Sequence, residues 1–179
     1  LETLLARGAR PNVQASDGNT PLLIALAHGD NRSARILLAH NADPNIAGER
    51  GILPLHLSAF SDEISTETFR LILERTANRN RTTDLGGMTP LHFAVKGMNI
   101  PKIKLLLACG VDVEIKDGDG KTALDYTLEP EVEEVSDRQI IPFSDKFEYA
   151  ENKEKLLEIQ ALLKAGVARN SSYEKSHMK

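Results

Sequence analysis

Apolar residues in this chain fall in short clusters at helical spacing, with polar stretches between them. Leu1, Leu4 and Leu5 form one cluster. Others are Ile36 to Leu38, then Phe69, Leu71 and Ile72, then Ile103 with Leu105 to Leu107, then Leu156, Ile159 and Leu163. Each predicts a short helix with one buried side. Ahead of them a phrase returns: Thr20-Pro21-Leu22, Leu53-Pro54-Leu55, Thr89-Pro90-Leu91 and Thr122-Ala123-Leu124, at steps of 33, 36 and 33 residues. A second phrase keeps the same phase, in Gly8-Ala9-Arg10-Pro11-Asn12, Asn41-Ala42-Asp43-Pro44-Asn45, Thr76-Ala77-Asn78-Arg79-Asn80 and Gly110-Val111-Asp112-Val113-Glu114. A period near 33 predicts a stack of like supersecondary units, none large enough to bury its own apolar face.

Local chemistry supports that reading. Thr20 can cap a first helix whose first position suits Pro21. That helix is expected to end near His28 and Gly29, with a second helix over about Arg32 to Ala39. Asn41 then takes the left-handed closing conformation. In the following unit, Leu53 offers no cap and β-branched Thr76 falls where the left-handed turn belongs. That unit therefore reads as the weakest, and both Leu53→Thr and Thr76→Gly are expected to stabilise the chain.

Thr89-Pro90-Leu91-His92-Phe93-Ala94 resembles the ankyrin signature T-P-L-H-x-A. The resemblance extends over about residues 1–168. It implies an all-α ankyrin-repeat solenoid of helix-turn-helix units joined by β-hairpin-like loops. It also implies that His56 and His92 bond backbone between neighbouring hairpins. The chain departs from the signature at Leu23 and Asp125 in place of His, Leu53 in place of Thr and Ala123 in place of Pro.

The register divides the chain into the second half of a truncated repeat (1–14) and repeats at 15–47, 48–82 and 83–115. The 48–82 repeat carries a two-residue insertion between its helices. A C-terminal repeat (116–168) closes at Gly166 and holds an acidic insert at about 129–151; a disordered tail (169–179) follows. The start within a repeat, without Met, reads as a fragment of a longer protein. The insert holds eight carboxylates against two cations, a net −6, so the rest of the chain is +2 of the total −4. Its cluster of Ile140, Ile141, Phe143, Phe147 and Tyr149 is expected either to fold back on the last units or to dock a partner.

Charge and composition narrow the function. A net charge of −4 argues against nucleic acid as a partner. No apolar run is long enough to span a bilayer. The single cysteine, Cys109, excludes a disulfide framework, fits an intracellular compartment and reads as an inert, partly buried thiol. Gly120-Lys121-Thr122 lacks the first glycine of a phosphate loop, with Ile115 in its place. The Asp117 and Asp119 pair lacks the glycine and closing glutamate of a calcium loop. No His/Cys cluster has metal-ligand spacing, and no nucleophile and base can be paired. No catalytic residue, metal or cofactor is expected.

Binding is what remains. The resemblance implies a concave face of hairpin tips and outward first-helix positions. By register these are Asn19, His28, Glu49, Ile52, Phe60, Leu85, Met88, Lys96, Asp119 and Lys121. The apolar members Ile52, Phe60, Leu85 and Met88 fall in the central units and the polar ones toward the ends. An apolar centre with a polar rim is the anatomy of a protein-binding surface; the alternative is that these side chains pack between hairpins. The expected function is an interaction module, monomeric, holding another protein or a peptide. The alternative is a regulatory segment of a larger enzyme or channel that contacts its own chain.

Overall fold

A computed structural model describes residues 1–128 and 153–169. The helices are α1 (Glu2–Ala6), α2 (Pro21–Ala27), α3 (Asn31–Ala39), α4 (Pro54–Phe60), α5 (Thr66–Arg75), α6 (Pro90–Lys96) and α7 (Ile100–Ala108). An eighth, α8, is helical over 153–169. There is no strand among the described residues. The expected insert and tail lie outside them.

The helices form two layers. First helices α2, α4 and α6 stack on one another, second helices α3, α5 and α7 stack beside them, and each first helix packs on its own second helix. One continuous core results, running from Leu5 through Leu22, Leu55, Phe69, Leu91 and Ile103 to Ile159 and Leu163 of α8. No unit supplies that core alone, as expected of a stack in which each unit is stabilised by its neighbours.

Caps set the helix starts. Thr20, Asp30, Ser65, Thr89 and Asn99 each accept a hydrogen bond from the backbone N–H three residues on. Pro21, Pro54 and Pro90 occupy the first helical position, where no donor is needed. The second repeated phrase is a stitch between units. Asn12 Oδ1 accepts from Asp43 N at 2.8 Å, Asn45 Oδ1 from Ala77 N at 2.8 Å, and Asn80 Oδ1 from Asp112 N at 3.0 Å.

Several expectations need correction. Of Leu1, Leu4 and Leu5, only Leu5 is buried, because α1 is little more than one turn and offers its neighbour one side. Ile36, Leu71 and Leu105 share one register and are only partly buried against the core. Gly166 does not close the last unit: α8 continues past it to 169, and the glycine is a contact point where a Cβ would lie 3.1 Å from Val113 and 3.2 Å from Leu107. After Thr122 the described chain makes a 3-10 turn at Asp125–Thr127 in place of an α-helix. Cys109 is exposed, not partly buried, and the Lys104 ammonium is paired with Glu158 at 2.8 Å.

Both features of the expected weak unit also read differently. Asn41 and Gly110 have φ of 63° and 71°, but Thr76 is extended at φ −82°, ψ 120°. Helix α5 runs one residue further than its neighbours. Thr76 leaves it buried, with its hydroxyl donating to Ile72 O at 2.7 Å. Leu53 lacks a side-chain cap but is itself buried. Leu53→Thr would gain a cap of about 1 kcal/mol and lose a comparable or larger apolar burial of roughly 1.5–3 kcal/mol. It is expected to lower the melting temperature slightly or leave it unchanged, and a clear rise would show that the missing cap dominates.

Candidate protein-binding face

The hairpin-like turns that precede each first helix close with the same kind of backbone bond, the third of them around one extra residue. Ala15 N donates to Asn19 O, Gly48 N to Ile52 O, Thr83 N to Met88 O, and Asp117 N to Lys121 O, all within 2.8–3.0 Å. Successive turns are joined through Asp84 N to Arg50 O at 2.8 Å and Gly118 N to Gly86 O at 2.9 Å. The two motif histidines lock them. His56 Nδ1 accepts from Leu53 N at 3.0 Å, so its Nε2 carries the proton and donates to Arg81 O at 2.9 Å. His92 repeats this with Thr89 N at 3.2 Å and Lys121 O at 3.1 Å. Each histidine thus fixes its own helix start and the next turn, as the resemblance implied. Burial pushes the His56 imidazole down to about 4 and lowers His92 as well. Asp125 reproduces half of this device: its carboxylate accepts from Thr122 N at 2.8 Å, but carries no donor for a further turn.

The ten candidate residues are spread along this scaffold. Leu85 and Phe60 are exposed, at 65% and 52%; Ile52 and Met88 are half-buried. Asn19 is half-buried and bonded to Asp17 of its own turn. Glu49 pairs with adjacent Arg50 at 3.3 Å. His28 is exposed at the C-terminal end of α2, and Asp119 is exposed in the 117–121 turn. Lys96 and Lys121 are brought together. Their ammonium groups lie 5.1 and 5.7 Å from the centre of the Tyr126 ring, within cation–π range.

Tyr126 was not singled out in the sequence. The signal was its register: it follows the repeated phrase as Phe93 does, and both rings meet the preceding motif histidine edge-on, at 5.2 Å for His56–Phe93 and 6.0 Å for His92–Tyr126. The Tyr126 hydroxyl donates to Asp117, which pushes its pKa up to about 12. The Asp117 carboxylate also accepts from Asp119 N and Lys121 N, both at 2.9 Å, so it organises the turn.

The connector of α4 to α5, Ser61–Ser65, is two residues longer than His28–Asp30 and Gly97–Asn99. It is tied to both neighbours. Asn31 Oδ1 accepts from Ser65 N at 3.1 Å, Asn99 Nδ2 donates to Asp62 Oδ1 at 2.7 Å, and Lys102 Nζ donates to Ser61 O. Lys102 is 1% exposed, with its ammonium 5.8 Å from the centre of the Phe69 ring. Burial pulls its pKa down to about 8 against the opposing pull of Asp62. Since the unfolded side chain titrates near 10.4, this group disfavours the folded state below pH 8 and the cost fades as pH rises toward 10. Lys102→Met, which keeps the stem, should therefore hold or raise stability at pH 7 by about 1 kcal/mol. It should also abolish this rise with pH. Denaturant titrations at pH 7 and 9.5 check both.

Beside this connector lies an open cleft of about 390 Å³ formed by Leu26, Leu57, Phe60, Asp62, Glu63 and Gly97 among others. Among the described residues no group of three or more His, Cys, Asp or Glu side chains is placed to hold a metal ion, and no helix is long and apolar enough to cross a membrane.

Family models of ankyrin repeats match residues 1–83 and 72–126. The chain is 32% identical over 123 residues to the ankyrin repeat protein nuc-2 of Neurospora crassa, across 69% of this chain and 11% of that one. It is 30% identical over 128 residues to the nuclear factor NF-kappa-B p105 subunit of Gallus gallus, across 69% and 13%. Over 110 residues it is 30% identical to the transient receptor potential cation channel subfamily A member 1 of Homo sapiens, across 58% and 10%. The chain thus matches about a tenth of the length of these relatives. The helix pairs, the histidine-locked turns and these matches lead to one conclusion: the chain belongs to the ankyrin-repeat family.

Proposed function

We propose that this chain is a protein–protein interaction module that holds a segment of another protein on the face formed by its turns and first helices, without catalysis or a cofactor. The observation that carries the reading is the exposure of Phe60 and Leu85 on the two central units; the other exposed bulky apolar groups are Leu1, Leu4, Val13 and Ile24 toward one end and Leu128 and Leu157 toward the other. Exposed aromatic area on a rigid support is what an interface anchor requires, since little side-chain entropy is lost on binding. Ankyrin repeats are generally protein-binding and non-enzymatic, which agrees. The single cysteine suits a reducing, intracellular compartment.

The reading is tested once a partner is identified by affinity capture with the whole chain. Phe60→Ala should leave the melting temperature nearly unchanged and cost about 2 kcal/mol or more of affinity. Lys96→Glu should change association rate and its salt dependence more than affinity. A steep fall in melting temperature for Phe60→Ala, with normal binding by the folded fraction, would remove Phe60 from the surface and the reading with it.

A second reading is favoured by the relatives, each matched over 10–13% of a longer protein, one of them a channel subunit. There the face would contact other parts of its own chain. Capture of a separate protein supports the first reading; binding only to domains of the parent protein supports the second.

A further inference from the structure

We propose that Phe60 and the Ser61–Ser65 connector form a recognition site for a basic segment, one that presents an apolar side chain next to an arginine or lysine. This rests on the interaction-module reading and names the chemistry of the segment bound. The cleft at this place has two halves of different character. Its floor is apolar, from Leu26, Leu57 and the exposed ring of Phe60. Its wall is acidic, from Asp62 and Glu63, both exposed.

The wall is only partly compensated, by the attraction between Lys102 and Asp62. Neither Asp62 nor Glu63 joins an ion pair among the described residues. Asp62 accepts one hydrogen bond through Oδ1, from neutral Asn99. Two of the nearby lysines are engaged with other groups as well. Lys102 is buried with its ammonium on Ser61 O, and Lys96 lies over Tyr126. His28 follows the lining residue Ala27 at the end of α2 and is exposed. A guanidinium or ammonium from a partner would therefore meet two carboxylates, while an acidic segment would be repelled.

The site is also held in place. The connector is anchored to α3 through Asn31 and to α7 through Asn99 and Lys102. The Glu63 carboxylate lies directly on Gly29, where a Cβ would be 1.5 Å from Oε2. At the other side, a Cβ on Gly97 would lie 2.3 Å from Phe60 O, so only glycine lets the end of α4 sit against α6. The carboxylates and the ring are thus positioned before binding, which lowers the ordering cost that a flexible loop would impose. The shorter connectors of the neighbouring pairs place no such acidic pair beside an aromatic residue.

The test is selection of a phage-displayed random dodecapeptide library on the whole chain, with synthetic peptides from enriched clones then measured by fluorescence anisotropy. Enriched peptides should pair an aromatic or aliphatic residue with a nearby Arg or Lys. Their affinity should fall about tenfold or more with Phe60→Ala, with Glu63→Lys and, less, with Glu63→Gln. Leu157→Ala, at an exposed leucine of α8 outside the candidate face, should leave it unchanged, and thermal melts confirm that each variant is folded. Enriched peptides that are acidic or uncharged, or basic peptides that bind folded Glu63→Lys as tightly as the parent, overturn the proposal. If those peptides instead lose affinity with Leu85→Ala, the broader reading stands without it. No enrichment of any sequence counts against both.

Discussion

Acidification from pH 7 to pH 4 is expected to remove roughly 3 kcal/mol of folding stability through His56 alone. The imidazole is fully buried and neutral, with its proton on Nε2, and both ring nitrogens are used by backbone. Its pKa is about 4 when folded and near 6.5 when unfolded. Between these values the unfolded chain takes up a proton that the folded chain does not. The stability is therefore complete above pH 6.5, is lost progressively as pH falls toward 4, and is not lost further by this group below that. His92, lowered in the same sense by its burial, adds to the slope. Carboxylates titrate over part of the same range, so the informative quantity is a difference between variants. His56→Leu copies the side chain that stands at this register in α2, Leu23. At pH 7 it should cost about 2–4 kcal/mol, because Leu53 N loses its partner in a buried setting and Arg81 O loses its own in a partly buried one. At pH 4 the gap to the parent should narrow sharply. Urea titrations of both proteins at pH 7.5, 5.5 and 4.2 measure this, and a gap independent of pH would show that the ring is not buried neutral.

Thr76→Gly is expected to destabilise the chain by about 2–3 kcal/mol, the reverse of what the repeat pattern suggests. Glycine would be an improvement if the chain turned left-handed here, as it does at Asn41 and Gly110. It does not, since Thr76 is extended. The substitution removes the hydroxyl bond to Ile72 O and a buried methyl, and adds backbone freedom to the unfolded chain. These are worth about 1, 0.8 and 0.5–1 kcal/mol. Thr76→Ser, which keeps the hydroxyl and restores a Cβ, should recover about two thirds of the loss. A thermal melt in which Thr76→Gly is neutral or stabilising would restore the left-handed assignment.

The candidate face was legible in part. Register alone picked out Phe60 and Leu85, which are exposed, and Lys96 and Lys121, which meet over one ring. It could not distinguish these from Ile52 and Met88, which are half-buried. It also missed Tyr126, Lys102 and the Asp62–Glu63 pair. A lysine in a helix reads as a surface residue; only the longer connector folding over α7 turns Lys102 into a buried anchor.

What the sequence determined by itself is the repeating unit. Capping residues, first-position prolines, apolar spacing at helical period and the motif histidines are local signals, and they are read within one unit or between adjacent ones. They sufficed for the all-α stack and the order of its helices up to the last unit, where a 3-10 turn stands in place of the expected first helix. The tertiary structure decided how each unit departs from the pattern. Whether Leu53 is a missing cap or a buried side chain, whether Thr76 is strained or anchored, and whether Gly166 ends a helix or admits Val113 against it depend on what the neighbouring unit places alongside. Such contacts are set by packing across units, where a single inserted residue or a longer helix shifts the fit. No period in the sequence carries that information.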